Sequence, residues 1–294
     1  MEDSMNPALH PVASAPRSTD SSIGGLLLES GKITPESAER VLRMQKELGI
    51  RFGEAAQRLG LVTEQDIQQA LARQFDYPYL QQGQGKYTEL LVAAYQPFSA
   101  QVEALRAVRS QLMLRWFARE RKSLVIAGVS SGDGASMFAA NLAVVFSQLG
   151  ERTLLVDANL RRPRQHQVFD LQGRQGLSDA LAGRADQGVI EKIEPFMSLS
   201  VLGAGTLPPN PQELLSRPVF ADLNRELEAQ YDIVLYDGAA FGDGSDSMAL
   251  AARIGGVLLV LHRHHTRIRD VNATVAMLRR NGTEVVGTIM VDFP

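Results

Sequence analysis

Three short segments carry residue types that could hold a nucleotide and a metal ion. The first is the glycine-rich stretch Ser130-Ser-Gly-Asp-Gly134, which lies between the apolar run SLVIAGV and the amphipathic run MFAANLAVVFSQLG. Two glycines at a helix N-terminus let backbone N–H groups turn toward a bound phosphate. The candidate nucleotide-binding residues of this loop are Ser131, Gly132, Asp133, Gly134, Ala135 and Ser136.

The other two segments each end an apolar run with an aspartate. Asp157 ends the run LLVD, and Asp237 ends the run VLYD. Carboxylate and hydroxyl oxygens are suitable ligands for Mg²⁺ or for its bound water. The sequence therefore predicts a metal site made by Ser136, Asp157 and Asp237, with the two aspartates as candidate catalytic residues and Arg161 as a further nucleotide contact.

Two positions depart from what a catalytic site requires. A working phosphate loop has Lys-Ser or Lys-Thr at its end, whereas position 135 is alanine. A lysine there would contribute about 4 kcal/mol of Coulomb energy at an effective dielectric near 20. Loss of one such group commonly lowers the rate by roughly 10²–10³-fold.

Asn159 is the second departure, because it occupies the place of the second acid of an Asp-x-Asp pair. An amide oxygen ligates a metal weakly and cannot accept a proton. Together the two changes remove one positive and one negative charge, which favours coupled drift toward a non-catalytic site. The alternative is an introduced replacement of a natural lysine by Ala135.

Apolar strands alternating with amphipathic helices must position these segments. From residue 123 onward we expect strands at SLVIAGV, RTLLVD, SLSVLGA, DIVLYD, GGVLLVLH and EVVGTIMV, and helices over 135–149, 211–230, 245–253 and 268–280. This order predicts an α/β fold of the P-loop NTPase type, with a mostly parallel sheet and helices on both faces. Ligands bind such sheets at the carboxyl ends of the strands, where all three segments lie.

The N-terminal part of the chain contains an internal repeat. Gly24, Gly31 and Thr34 recur as Gly53, Gly60 and Thr63. Each unit predicts a short helix, a glycine stop and a second helix with a threonine cap. We therefore expect a small all-α domain at 22–80, preceded by a disordered tail at 1–21 and followed by a linker at 81–95 and the α/β domain at 96–294.

Composition excludes several classes of function. The chain has 30 basic and 33 acidic residues, so no global charge attracts nucleic acid. It has no cysteine, which excludes disulfides and thiolate metal sites. No apolar run reaches the ~18 residues that span a bilayer, and the N-terminus lacks the apolar core of a signal peptide. These features predict a cytoplasmic protein.

The repeat resembles the N-terminal domain of type II secretion ATPases (MshEN-like), some of which bind cyclic di-GMP through paired Arg-x-Gly loops. The second unit has Arg51-Phe-Gly53, and the first has Ser22-Ile-Gly24. The missing arginine argues against nucleotide binding here, and we favour a docking or packing module.

The three segments, with Glu103-Ala-Leu-Arg106-Ala-Val-Arg109 and Leu207-Pro-Pro-Asn210, resemble the bacterial tyrosine kinases of exopolysaccharide synthesis, in particular the EpsG-type chain-length-determinant kinases. The resemblance implies ATP or ADP with Mg²⁺ as cofactors. It also implies a homo-oligomer assembled through Glu103, Arg106 and Arg109. The expected partner is a chain-length determinant of the Wzz-like type, an inner-membrane protein that would recruit the chain to that membrane.

The tyrosines do not match the substrate that this resemblance implies, which is a C-terminal tyrosine cluster on a neighbouring subunit. All six tyrosines precede residue 237, and the tail VVGTIMVDFP has none. We expect Tyr231 and Tyr236 to be packing residues and Tyr87, in the linker, to be exposed.

Three hypotheses of function follow. The first, which we favour, is a regulatory pseudokinase. The second is an active kinase or ATPase in which Arg161, Arg162 or a neighbour's arginine replaces the lysine. The third is a cyclic di-GMP-responsive adaptor. A metal site at His262-Arg-His-His265 is disfavoured by its spacing, and a calcium loop at Asp243–Asp246 lacks the closing glutamate.

Overall fold

A computed structural model describes residues 22–74, 78–80 and 86–292. The chain divides into two compact units, residues 1–77 and residues 78–294. The tail predicted at 1–21 and residues 81–85 of the predicted linker lie outside the described residues.

The described part of the first unit is helical, as the repeat predicts. Its helices are α1 (Ile23–Glu29), α2 (Pro35–Leu48), α3 (Phe52–Arg58) and α4 (Glu64–Gln74). The hydroxyl of Thr34 caps α2 by accepting a hydrogen bond from the Ser37 N–H (3.2 Å), and Gly49 ends α2 in the left-handed conformation. Leu27, Val41 and Ala56 form part of a small apolar core.

The second unit alternates strands and helices. Its helices are α5 (Val92–Tyr95), α6 (Ala100–Arg115), α7 (Ala135–Ser147), α8 (Gln165–Val168), α9 (Leu177–Leu181), α10 (Pro211–Ser216), α11 (Pro218–Gln230), α12 (Asp246–Ile254) and α13 (Ile268–Arg280). Its strands are β1 (Ser123–Gly128), β2 (Thr153–Asp157), β3 (Glu191–Lys192), β4 (Leu199–Leu202), β5 (Ile233–Asp237), β6 (Gly256–His262) and β7 (Glu284–Val291).

These strands form one sheet in the order β3-β4-β2-β5-β1-β6-β7. Every pairing is parallel except that of β3 with β4. Alternate residues of β1 enter different apolar clusters: Ile126 packs with Phe146 of α7 on one face, and Val125 belongs to the cluster of Phe220 and Tyr236 on the other. The sheet is therefore covered on both faces, which confirms the predicted fold class.

Several elements differ from the expectation, among them the short helices α8 and α9, which were not expected. The helix expected over 211–230 is interrupted at Arg217, whose backbone is extended (φ −65°, ψ 148°). Pro218 causes this break, because proline disfavours a helical conformation in the residue before it. The short strand β3 is polar, so no apolar pattern in the sequence predicts it.

Tyr87 was expected to be exposed, and the structure contradicts this. The side chain is buried (6% exposed), its hydroxyl donates to the Glu194 carbonyl (2.6 Å), and its ring packs edge-on against Phe169. Leu91 and Tyr95 join the same core. The residues before Tyr87 are polar, so the sequence did not indicate that this side chain packs in the core. Tyr236 is fully buried, as expected for a packing residue.

No helix within the described ranges is both long and apolar enough to cross a membrane.

Candidate nucleotide and metal site

The glycine-rich loop connects β1 to the N-terminus of α7. Gly132 and Gly134 both have left-handed backbone (φ 88° and 78°), and Gly134 is the N-cap of α7. A residue with a side chain would be strained in that conformation. Ala135 is the first residue of the helix. The loop thus has the strand–loop–helix geometry that binds phosphate, with a methyl group at the position of the lysine.

Asp133 braces this loop from inside. Its carboxylate is buried (1% exposed) and accepts hydrogen bonds from the Ser130 N–H and from the Thr266 hydroxyl, both at 2.7 Å. These two hydrogen bonds fix the shape of the loop. The contact of Asp133 with a nucleotide stays a prediction.

The three predicted metal ligands meet at the carboxyl edge of the sheet. Asp157 and Asp237 are register partners at the ends of β2 and β5. The Ser136 hydroxyl, in the first turn of α7, donates to Asp237 Oδ1 (3.0 Å). Asp157 Oδ2 accepts hydrogen bonds from the backbone N–H groups of Arg164 and Gln165, both at 2.9 Å.

Burial changes the protonation of this acidic pair. Burial raises the pKa of Asp157 to about 6, against three backbone hydrogen bonds that lower it. Burial first, and the neighbouring charge of Asp157 second, raise the pKa of Asp237 to about 8. Two buried carboxyls that resist ionising together make a site that a divalent cation would stabilise. The donor set, two carboxylates and a hydroxyl, fits Mg²⁺.

Gln165 is a residue of the site that the sequence did not indicate. Its side chain is fully buried, and its Nε2 donates to Asp237 Oδ2 (2.7 Å) and to the Ser136 carbonyl (3.0 Å). Its Oε1 is buried and has no hydrogen-bond partner among the described residues. Its position a few residues after Asp157 was the only signal in the sequence. Its contact with Asp237 could not be predicted, because only the fold brings these two residues together.

In the arginine-rich loop after β2, Arg161 and Arg162 make different contacts. Arg161 binds Asp246 of α12 with two guanidinium nitrogens, one of them 3.1 Å from Oδ1, and the Asp246 side chain is almost fully buried. Arg162 instead reaches the glycine-rich loop, where its Nη1 donates to the Ser131 hydroxyl (2.9 Å). Asn159 Oδ1 accepts from the Arg162 N–H (3.1 Å) and so shapes the turn.

The histidine run lies beside the same loop. His265 Nε2 is 3.2 Å from the Ser131 carbonyl, and the rings of His262 and His265 are 5.5 Å apart between centroids. Two elements therefore contact Ser131, one carrying Arg162 and the other His265.

The three residues expected to contact another subunit lie on α6, away from this site. Arg106 pairs with Glu103 and donates to the Pro97 carbonyl (2.7 Å). Arg109 donates to the Val145 carbonyl near the C-terminal end of α7 (2.8 Å). Their role in assembly stays a prediction.

In the N-terminal unit, Ser22 and Arg51 occupy equivalent positions, as N-caps of α1 and α3. The Ser22 hydroxyl accepts a hydrogen bond from the Gly25 N–H (3.2 Å) and caps its helix. Cyclic di-GMP binding by this unit stays a prediction that the missing arginine disfavours.

Comparisons with known proteins place this site in a family. The family model described as cellulose biosynthesis protein BcsQ matches residues 121–268, about half of the chain. Tyrosine-protein kinase YwqD of Bacillus subtilis is 32% identical over 200 residues, which cover 68% of this chain and 84% of that protein. Tyrosine-protein kinase Wzc of Salmonella typhi is 30% identical over 200 residues, which cover 68% of this chain and only 28% of Wzc.

A solved structure agrees with the sequence relatives. The kinase domain of the Escherichia coli tyrosine kinase ETK is similar, with a TM-score of 0.68 and 29% identity over 74% of this chain and 85% of that one. Residues 121–268, which the BcsQ family model matches, contain the glycine-rich loop and both aspartate-ended strands. By its sequence, its fold and the arrangement of this site, the chain belongs to the bacterial tyrosine-protein kinase family.

Proposed function

We propose that the chain is a regulatory pseudokinase of exopolysaccharide biosynthesis, which holds ATP or ADP with Mg²⁺ weakly and transfers phosphate slowly or not at all. The observation that carries this proposal is Ala135, the first residue of α7, at the end of an otherwise intact phosphate-binding loop. A methyl group cannot stabilise the negative charge that develops on a transferring phosphate.

The residues that remain support nucleotide holding. Gly132 and Gly134 keep the loop conformation, and Ser136 and Asp237 keep their hydrogen bond. Binding and catalysis separate here, because backbone amides and Mg²⁺ can hold phosphates without the lysine that chemistry requires. Asn159 adds to the loss, since its amide oxygen cannot serve as a base.

The proposed setting follows from the family resemblance of the sequence. The chain would assemble into a homo-oligomer and dock onto a chain-length determinant in the inner membrane. In that role the chain would work through its contacts with other subunits and with the chain-length determinant. The bound nucleotide would stabilise the folded subunit.

A calorimetric titration of Mg²⁺-ATP into the full chain tests this, beside the double variant Ala135→Lys, Asn159→Asp. We expect weak binding and negligible phosphate release for the natural sequence, and at least tenfold tighter binding for the variant. Phosphate release by the natural sequence at the rate of the variant would overturn the proposal. The single variant Asn159→Asp is the control, because it restores the acid at position 159 and leaves alanine at position 135.

Arg162 supports a second candidate function, that of an active kinase or ATPase. Its Nη1 already contacts Ser131 within the loop, whereas Arg161 is bound to Asp246. A guanidinium on the transferring phosphate could substitute for the lysine, since arginine binds phosphate in a bidentate manner. Phosphate release that disappears in Arg162→Met and persists in Arg161→Met would favour this candidate over the first.

A further inference from the structure

Gln165 contacts all three segments of the site at once. Its backbone N–H donates to Asp157 Oδ2 (2.9 Å), at the end of β2. Its side-chain Nε2 donates to Asp237 Oδ2 (2.7 Å), at the end of β5, and to the carbonyl of Ser136, in the first turn of α7. The residue is fully buried, so its amide has no access to bulk water.

These contacts fix which way the amide points. The Ser136 carbonyl beside Nε2 can only accept hydrogen bonds, so that atom must be the donating nitrogen. The acceptor Oε1 is then left without a donor among the described residues. Buried polar atoms are nearly always hydrogen-bonded, and an unpaired one indicates a missing partner such as a water or an ion.

The position of Oε1 indicates what that partner is. The two heteroatoms of an amide are about 2.3 Å apart, given its C=O and C–N bond lengths. Because Nε2 is 2.7 Å from Asp237 Oδ2, Oε1 lies within about 5 Å of that carboxylate. A Mg²⁺ ion at about 2.1 Å from its ligands keeps several waters, and such waters donate hydrogen bonds to acceptors at this range.

We infer that Gln165 is a positioning residue for the divalent cation: Nε2 holds Asp237 and the first turn of α7 together, and Oε1 accepts a hydrogen bond from a water on the nucleotide-bound cation. This inference rests on the proposed function, since it needs a cation at Asp157 and Asp237.

A purely structural role for Gln165 is the competing explanation, and a metal titration separates the two. The probe is Mn²⁺, whose free concentration is read from its electron paramagnetic resonance signal, titrated into the full chain with saturating ADP. Loss of an outer-shell partner typically weakens metal binding by about 10–100-fold. We therefore expect Gln165→Met to raise the Kd of Mn²⁺ at least tenfold while ADP binding in EDTA stays the same.

Gln148→Met is the matched control. Gln148 also donates two amide hydrogen bonds to oxygens, the carbonyls of Pro78 (3.1 Å) and Ala93 (3.0 Å). It follows α7 at its C-terminal end, about 18 Å along the helix from Ser136. This variant should bind Mn²⁺ like the natural protein.

The outcomes are distinguishable. Equal Mn²⁺ affinity in Gln165→Met and the natural protein would overturn the inference, and so would equal weakening in Gln148→Met. Failure of the natural protein to bind ADP in EDTA or with Mn²⁺ would instead remove the proposed function, and the inference with it. If circular dichroism shows that Gln165→Met does not fold, Gln165→Asn replaces it. That variant keeps the amide but withdraws it by one methylene from Asp237 and Ser136, so it should also weaken Mn²⁺ binding at least tenfold, and an affinity equal to that of the natural protein would overturn the inference.

Discussion

Asp157 and Asp237 lie opposite each other on the adjacent parallel strands β2 and β5, and both carboxyls are buried. Burial raises the pKa of each, and the charge of Asp157 adds to the effect at Asp237. Two buried carboxyls this close therefore resist ionising together below about pH 8. At neutral pH a proton or a divalent cation would relieve the repulsion between them.

The first prediction concerns pH. The pKa of Asp237 is about 8 in the folded protein, against an ordinary value of 3.8 in the unfolded chain. Between these values the folded state binds the extra proton, so the contribution of Asp237 to stability is fully present below about pH 4 and is lost as pH rises to about 8. Thermal unfolding without metal should show this decline, and Asp237→Asn, which cannot ionise, should reduce it. Identical pH profiles for the two proteins would contradict the assignment.

A second prediction separates the two neighbouring arginines. Removing the Arg161 guanidinium leaves the carboxylate of Asp246 buried without its partner, which is destabilising. Arg161→Met should therefore lower the melting temperature, and adding Asp246→Asn should recover part of the loss. Arg162→Met, at an exposed position, should leave the melting temperature unchanged and weaken ADP binding. Weaker ADP binding by Arg161→Met at unchanged stability would make Arg161 the nucleotide contact instead.

The third prediction concerns the anchor of β1, the strand that leads into the glycine-rich loop. The Trp116 indole donates to the Ser123 carbonyl (2.9 Å), and its ring covers Gly256 so closely that an added Cβ would lie 2.0 Å from the ring. Overpacking of this kind costs about 1–3 kcal/mol. Gly256→Ala should lose that much stability in urea unfolding followed by the fluorescence of Trp116, the single tryptophan.

Gly287→Ala is the control for that variant. An added Cβ there meets its nearest neighbour at 3.5 Å, which is ordinary contact. It should unfold at nearly the same urea concentration as the natural protein. Equal losses in the two variants would show that the strands tolerate no added methyl group, rather than that Trp116 requires glycine.

The main strands could be predicted from the sequence because continuous apolar runs between glycines and polar turns admit few other structures. The order of the strands also predicted that the site lies at the carboxyl edge of the sheet. The structure brings Ser136, Asp157 and Asp237 together there. Side-chain contacts between residues that lie far apart in the chain could not be predicted from the sequence. Arg161 meets Asp246 across 85 residues, and Gln165 meets Asp237 across 72.

Local chemistry explains the remaining differences. The break between α10 and α11 was readable from Pro218, but the apolar periodicity on either side concealed it. Tyr87 was expected in solvent because its neighbours are polar, whereas its aromatic ring packs in the core. The hydrogen bond between Asp133 and Thr266, 133 residues away, holds the loop through a contact that the sequence pattern could not indicate.

The last prediction separates assembly from folding on α6. The Glu103 side chain is 65% exposed and pairs with Arg106, whereas Arg109 donates to the Val145 carbonyl of α7 in the same chain. If this helix forms the proposed contact between subunits, Glu103→Ala should shift sedimentation toward monomer at an unchanged melting temperature. Arg109→Ala should change both, because it also removes the hydrogen bond to α7. Gln101→Ala, exposed on the same helix, is the matched control. Sedimentation of Glu103→Ala that matches this control would place the contact between subunits elsewhere.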